Sequence, residues 1–294
     1  MTRRRCLTRG LTLGLLWTLA SCGGKTVSYE SEGTEPEEGY VSQAAPGSGG
    51  AAQGGLMVAV PEGFLIDSSE VTQRQYAAFI AAQPRTDAQP GSCSWNASFE
   101  PEPGCLSLSA VCQGNKCADH PQVCVDWCDA RAYCAWAGKR LCGDIDGGPA
   151  DYDDIENAAT NQWYHVCTSG GANVFAYGNS PDARLCNTHG NPVTGCDAGQ
   201  GGSGGGVLGA CTTTAVGSLP ACQSNIDAYS GVYDMTGNVW EWEDACEGGG
   251  PQDNCRVRGG SFYYGAYDRC GEGGGSGQPR SATGVDIGFR CCSD

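Results

Sequence analysis

Positive charge is scarce in this chain. Its 294 residues include 17 Lys and Arg against 33 Asp and Glu. That balance argues against nucleic acid as a partner, because phosphate contacts need a basic patch. It suits an extracellular surface and cation binding. Histidine is scarcer still, with three residues, His120, His165 and His189, scattered along the chain. The cysteine-rich string VCVDWCDARAYC contains none of them and no paired CxxC element, so no zinc site is expected there. No GxSxG nucleophile elbow and no P-loop occurs. No internal repeat is visible, and the apolar stretch Leu11–Ala20, about ten residues, is too short to span a membrane.

That stretch follows a basic front of Arg3, Arg4, Arg5 and Arg9 and ends in Leu19-Ala20-Ser21-Cys22. The pattern is a secretory signal, and its ending resembles a bacterial lipobox, which makes residues 1–21 a signal peptide and Cys22 the lipidation site. Acyl chains on Cys22 would hold the protein on a membrane without a transmembrane helix. Gly23 after that cysteine resembles outer-membrane sorting, so the expected location is the bacterial cell envelope. Without the signal the chain keeps 13 basic against 33 acidic residues, a net of −20. Residues 22–55 are rich in Gly, Ser, Glu, Pro, Ala and Gln and cannot bury enough apolar surface to fold, so they read as a tether. Residues 56–294 suit one domain.

What is abundant is cysteine and glycine, 20 and 47 residues. Setting aside Cys6 and Cys22 leaves 18 cysteines, which in an exported chain reads as a disulfide framework of up to nine bridges. The neighbours Cys291 and Cys292 should pair with different partners, and the remaining connectivity is open. A glycine-rich, loop-rich chain needs such staples.

Regular structure is sparse. LMVAV and GFLID (56–60, 63–67) read as short strands. EVTQRQYAAFIAAQ reads as a helix, with Thr72 and Gln75 at capping-box spacing and Tyr76, Phe79 and Ile80 on one face. A cysteine-bearing loop follows over 84–121. A second helix spans about Asp126 to Ala137, with Asp126 as N-cap, apolar residues at Trp127, Ala130, Cys134 and Ala137, and Gly138 to end it. NQWYHVC is a third, shorter helix. Residues 168–230 are mostly Gly, Asn, Ser and Thr, and short strands fall around VWEW, RVRGGSF and IGFRC. This is an irregular α+β domain.

GVYDMTGNVWEW (231–242) resembles a signature of the sulfatase-modifying factor family, which includes the formylglycine-generating enzymes. FLIDSSEVTQRQYAAFI, HPQVCVDWCDARAYCAWAGKRL, WYHVCTSGG, FAYGN, TTTAVGSLPAC, RVRGGSF, PRSA and GFRC resemble the family's other blocks and occur in its order, together covering nearly all of 56–294. The resemblance implies a C-type-lectin-like α+β fold dominated by loops. It also implies a calcium ion wrapped by DMTGNVWE, held by the Asp234 and Glu241 side chains and the Gly237 and Val239 carbonyls. A second calcium would use Asn187, the Thr188 carbonyl and Asp197, where the Gly-rich insertion after Asp197 blurs the match. Oxygen ligands converging on a tight glycine-containing turn are what calcium requires, and Trp240 and Trp242, alternating with Glu241, would pack on the other side.

The same resemblance implies an activity that these residues do not support. Formylglycine-generating enzymes oxidise a cysteine of a substrate polypeptide with oxygen and one copper ion, held by two cysteines just after the RGGS block. Thiolates are the soft ligands copper(I) prefers. Here those positions fall on Tyr264 and Arg269, with Cys270 one place later. Copper is therefore not expected. Relatives that oxidise sulfur with iron use histidine ligands, and the scattered histidines here read as structural or solvated. Asn96-Ala97-Ser98 matches a glycosylation sequon but carries little meaning beside a lipobox. Three readings follow: a lipid-anchored, calcium-stabilised module that binds a peptide, protein or glycan; a formylglycine-generating-type oxidoreductase with altered metal ligands; or a structural envelope protein. The residues favour the first.

Overall fold

The computed structural model describes residues 54–154, 156–191, 194, 212–263, 269–271 and 277–294. The signal peptide, Cys22, nearly all of the tether, Asp197 with its Gly-rich run, Cys196, Cys211 and Tyr264 lie outside the described residues.

Local hydrogen bonding sets the helices. Helix α1 (Gln73–Ala81) starts at Thr72, whose hydroxyl accepts from the Gln75 amide while the Gln75 side chain accepts from the Thr72 amide, a reciprocal capping box. The apolar face buries Tyr76 and Phe79. A single turn, α2 (Pro103–Leu106), interrupts the loop expected over 84–121. Helix α3 (Trp127–Trp136) has a second capping box, between Asp126 and Asp129. Past its end, Gly138 takes φ +75°, a left-handed conformation that favours glycine. Helix α4 (Gln162–Cys167) is capped by Asn161. Among the described residues no helix is long and apolar enough to cross a membrane.

The strands form two four-stranded sheets. Strands β1 (Met57–Ala59), β2 (Leu65–Asp67) and β3 (Arg140–Leu141) join the last strand, β8 (Cys291–Ser293), in the antiparallel order β1-β2-β8-β3. Strands β4 (Trp240–Cys246), β5 (Asn254–Arg258), β6 (Gly277–Pro279) and β7 (Ile287–Phe289) take the order β6-β5-β4-β7, with β4 and β7 parallel. Only Arg290 separates β7 from β8, so the chain passes between sheets at that residue.

The main core packs α1 and α3 against β4, β5 and β7, with Tyr76, Phe79, Tyr133, Trp127, Trp242 and Phe289 at its centre. A second cluster gathers Phe64, Ile66, Trp163, Val166 and Met235. Eight disulfides link all 16 described cysteines: 93–128, 105–124, 112–117, 134–291, 142–292, 167–270, 186–222 and 246–255. Cys291 and Cys292 do take different partners, Cys134 and Cys142. The sequon has no accessible acceptor: Asn96 is buried, and its amide donates to Asp129 Oδ1 at 2.7 Å.

Candidate functional site

The DMTGNVWE segment is a left-handed turn feeding β4. Asp234, Gly237 and Asn238 all have positive φ, at +61°, +81° and +58°. At Gly237 glycine is required twice over, since a Cβ there would lie 2.6 Å from the Asn187 carbonyl oxygen. That close approach lets the Asn238 amide donate to Asn187 O at 2.8 Å while the Gly237 amide donates to Gly259 O at 2.8 Å. The fully buried Asn238 side chain then ties three distant segments together. Its oxygen accepts from Asn187 Nδ2 (3.1 Å) and the Thr214 amide (2.9 Å), and its nitrogen donates to Glu70 Oε1 (3.0 Å).

Strand β4 is buried on both faces. Trp240 and Trp242 pack into the main core as expected. The acids between and after them point the other way and are equally buried. Glu241 accepts from Arg290 Nε at 2.6 Å and Nη2 at 2.7 Å, and from Trp163 Nε1 at 2.9 Å. Glu243 accepts from Arg258 Nε at 2.5 Å and Asn161 Nδ2 at 2.9 Å. The string WEWE is thus two tryptophans facing an apolar core and two carboxylates facing buried arginines. Sequence reasoning missed Arg258 and Arg290 as partners because both lie in other blocks, RGGS and GFRC.

Negative charge exceeds positive around Arg290. Glu70, Asp234 and Glu241 surround it, all buried. Burial first, then Asp234 and Glu241, pushes the Glu70 carboxyl well above its usual range. Asp234, whose Oδ2 accepts from the Gly217 amide at 2.6 Å, is pushed up by burial to about 6. Two oxygens in this region are buried with no hydrogen-bond donor, Glu70 Oε2 and Asn187 Oδ1. Glu70 was not foreseen as a member of the cluster, since nothing in the spacing of SSEVT points at Asn238.

These contacts test how calcium would fit. At the first expected site, both Glu241 oxygens are already occupied by N–H donors, so a cation there would have to displace Arg290. At the second, Asn187 Oδ1 is a buried acceptor with spare capacity, which is what a calcium ligand needs. The Thr188 carbonyl accepts one bond, from the Asn191 amide at 3.0 Å, leaving a lone pair free.

The expected copper positions look different. Arg269 is exposed. Cys270 is buried and forms a disulfide with Cys167, and its amide donates to Val174 O at 3.0 Å. A sulfur in a disulfide has no thiolate to offer, so Cys270 is removed as a stand-in copper ligand. His165 is structural, bonded to Ala158 O, Tyr229 and Glu62. A separate cavity of about 160 Å³, lined by residues including Phe79, Pro90, Phe99, Arg131 and Trp136, involves none of these segments.

Comparison with known proteins finds a family match. A family model described as the sulfatase-modifying factor enzyme 1-like domain matches residues 48–294. The chain is 28% identical over 181 residues to the inactive C-alpha-formylglycine-generating enzyme 2 of Bos taurus, covering 60% of this chain and 50% of that protein. It is 28% identical over 202 residues to the formylglycine-generating enzyme of Thermomonospora curvata, covering 61% and 58%. The chain thus spans about half the length of the curated relatives it matches. Among solved structures, PvdO from Pseudomonas aeruginosa shares 24% identity at a TM-score of 0.48, over 79% of this chain and 80% of that one.

Proposed function

The chain belongs to the sulfatase-modifying factor family, and from that premise we propose that it is a non-catalytic member: an exported, lipid-anchored, disulfide-stapled and calcium-stabilised module that binds a peptide, protein or glycan. One observation carries the reading. Where a formylglycine-generating enzyme needs a pair of thiolates for copper(I), this chain has Tyr264 and Arg269, and the neighbouring Cys270 is committed to Cys167. A guanidinium beside the site repels the cation, and opening the disulfide removes a staple between α4 and the C-terminal segment. Similarity to both an active and an inactive formylglycine-generating enzyme leaves the decision to this chain's own residues.

The rest of the fold is a rigid platform. The buried Glu241–Arg290 pair holds the crossing between the two sheets, Glu243–Arg258 ties β4 to β5 within one sheet, and the disulfides hold the loops. Calcium, when bound, would add a further cross-link at the Asn187 side chain and the Thr188 carbonyl, neutralising part of the excess negative charge around Glu70 and Asp234. Signal peptide, Cys22 anchor and tether would carry this platform away from an outer-membrane surface, where loops are free to bind.

The test offers the oxidised protein copper(I) and a cysteine-containing substrate peptide in oxygenated buffer, with product followed by mass spectrometry and metal by elemental analysis. The expected result is no stoichiometric copper and no formylglycine. Conversion of the peptide, lost on removal of copper, would overturn the non-catalytic reading. Binding is read by screening the same protein on peptide and glycan arrays with and without calcium.

A further inference from the structure

The loop between α2 and α3 holds a second cluster of chemistry. Cys112, Cys117 and His120 each present a donor atom within 4.8 Å of the other two. His120 Nε2 lies 3.9 Å from Cys112 Sγ, and its other ring nitrogen is 2.9 Å from the hydroxyl of the buried Thr213. The Thr213 contact fixes the ring so that Nε2 faces the sulfur, the arrangement by which an outer partner orients a ligating histidine.

Hydrogen bonds hold the backbone under the cluster. Gln73, the first residue of α1, holds two of the three residues at once. Its side-chain amide donates to Cys112 O at 2.9 Å, and its backbone amide donates to His120 O at 2.9 Å. The His120 amide donates to Cys117 O at 2.9 Å. Accessibility distinguishes this disulfide from most of the others. Six of the eight described disulfides have both cysteines buried, whereas Cys112 is half-buried, as is Cys246 in the 246–255 bridge. A reductant in solution therefore reaches Cys112 without unfolding the core.

We infer that Cys112, Cys117 and His120 form a binding site for a soft or borderline metal ion, such as zinc or copper(I), that opens when the Cys112–Cys117 disulfide is reduced. A dithiol reductant exchanges with the disulfide, which becomes two thiols while the reductant becomes its own disulfide. The metal ion then displaces the two thiol protons to solvent, forms two metal–sulfur bonds and takes the His120 Nε2 lone pair as its third ligand. The distances suit this. Tetrahedral zinc with Zn–S near 2.3 Å and Zn–N near 2.0–2.1 Å has a sulfur–nitrogen edge of about 3.6 Å, and the present separation is 3.9 Å. The sulfurs need to part to about 3.8 Å, which a side-chain rotation at a Cα–Cα distance of 5.6 Å allows. Three protein ligands leave a fourth position for water or a ligand of the bound partner.

The test uses the full chain and cobalt(II) as a spectroscopic substitute for zinc. The protein is treated with a phosphine reductant, which brings no competing thiol, and the opened cysteines are identified by alkylation and mass spectrometry. Cobalt is then titrated anaerobically. The expected outcome is one cobalt per chain with a thiolate-to-cobalt charge-transfer band, absent from the oxidised protein and at least tenfold weaker in affinity for His120→Ala. The same band in Cys112→Ser/Cys117→Ser, or an affinity unmoved by His120→Ala, would assign the metal to other thiols and overturn the site. No band at all in the reduced protein overturns it equally.

Discussion

Arg290 and Glu241 are 49 residues apart in sequence and form a two-point ion pair in the interior, with Nε and Nη2 at 2.6 and 2.7 Å from the two carboxylate oxygens. The pair sits where the chain crosses from β7 to β8, so it ties the two sheets at one of the places where the chain passes between them. Arg290 also donates to the backbone oxygens of Asp67 (3.1 Å) and Tyr233 (2.8 Å). Arg290→Met would keep the volume and leave Glu241 unpaired beside Glu70 and Asp234. Breaking one side of a buried pair costs about 3–5 kcal/mol. Urea denaturation should show that loss, and a cost below about 1 kcal/mol would mean that another group neutralises Glu241.

Calcium should raise the melting temperature relative to a chelator. A ligand at a hundred times its dissociation constant adds about 2.7 kcal/mol. Asn187→Ala removes the unpaired buried oxygen and also a bond to Asn238, so its absolute stability falls in any case. The informative quantity is the calcium-induced shift, measured by calorimetry. It should vanish in the variant, and a shift of unchanged size would locate the ion elsewhere.

Gly237→Ala is expected to be severe for a single methyl group. The residue has φ +81°, and the new Cβ would press on the Asn187 carbonyl and the Thr188 methyl, at 2.6 and 2.7 Å. Left-handed strain alone costs about 1–2 kcal/mol, and the clash adds to it because the neighbour is backbone. Chemical denaturation should show a loss above about 2 kcal/mol. A smaller one would mean that the Asn187 segment yields.

Stability should decline from pH 4 towards pH 7 through the α3 cap. Burial pushes Asp126 up to about 6, and burial followed by the Asp126 charge pushes Asp129 well above its usual range. A carboxyl whose folded pKa is raised binds more protons folded than unfolded. Its contribution is therefore full below about 3.8 and is lost as pH rises through about 6. For Asp126 the loss is about 3 kcal/mol. Asp126→Asn keeps the capping oxygen and removes the charge, so its pH–stability curve should be flatter over that window. A curve parallel to the wild type would shift the effect to other buried acids.

Removing the Cys134–Cys291 bridge, which spans 157 residues, should cost about 3–5 kcal/mol, as expected of a long loop. Cys134→Ala/Cys291→Ala tested by thermal unfolding reads this directly. A near-neutral result would show that the remaining staples already restrict the unfolded chain.

The parts of this protein legible in its sequence are those whose physics is local. Both capping boxes depend on a side chain meeting an amide three residues away, so Thr72 with Gln75 and Asp126 as a cap could be read from spacing, and Gly138 from the left-handed conformation that ends α3. An ordered series of short blocks was enough to indicate the family and hence the fold class. The site resisted such reading. Glu241 stood out as a free acid suited to a cation, yet the register of β4 against β7 brings it to Arg290. Glu70 meets Asn238 across 168 residues, and Cys270, one place from an expected metal position, is joined to Cys167. Cysteine type announced a disulfide framework but not its connectivity, because any cysteine can pair with any other that folding brings near. Sequence by itself determined which residues would be caps, turns and staples. Which carboxylate meets which arginine, and which sulfur meets which sulfur, was decided only by the packing of two sheets, since long-range pairing depends on register and not on spacing along the chain.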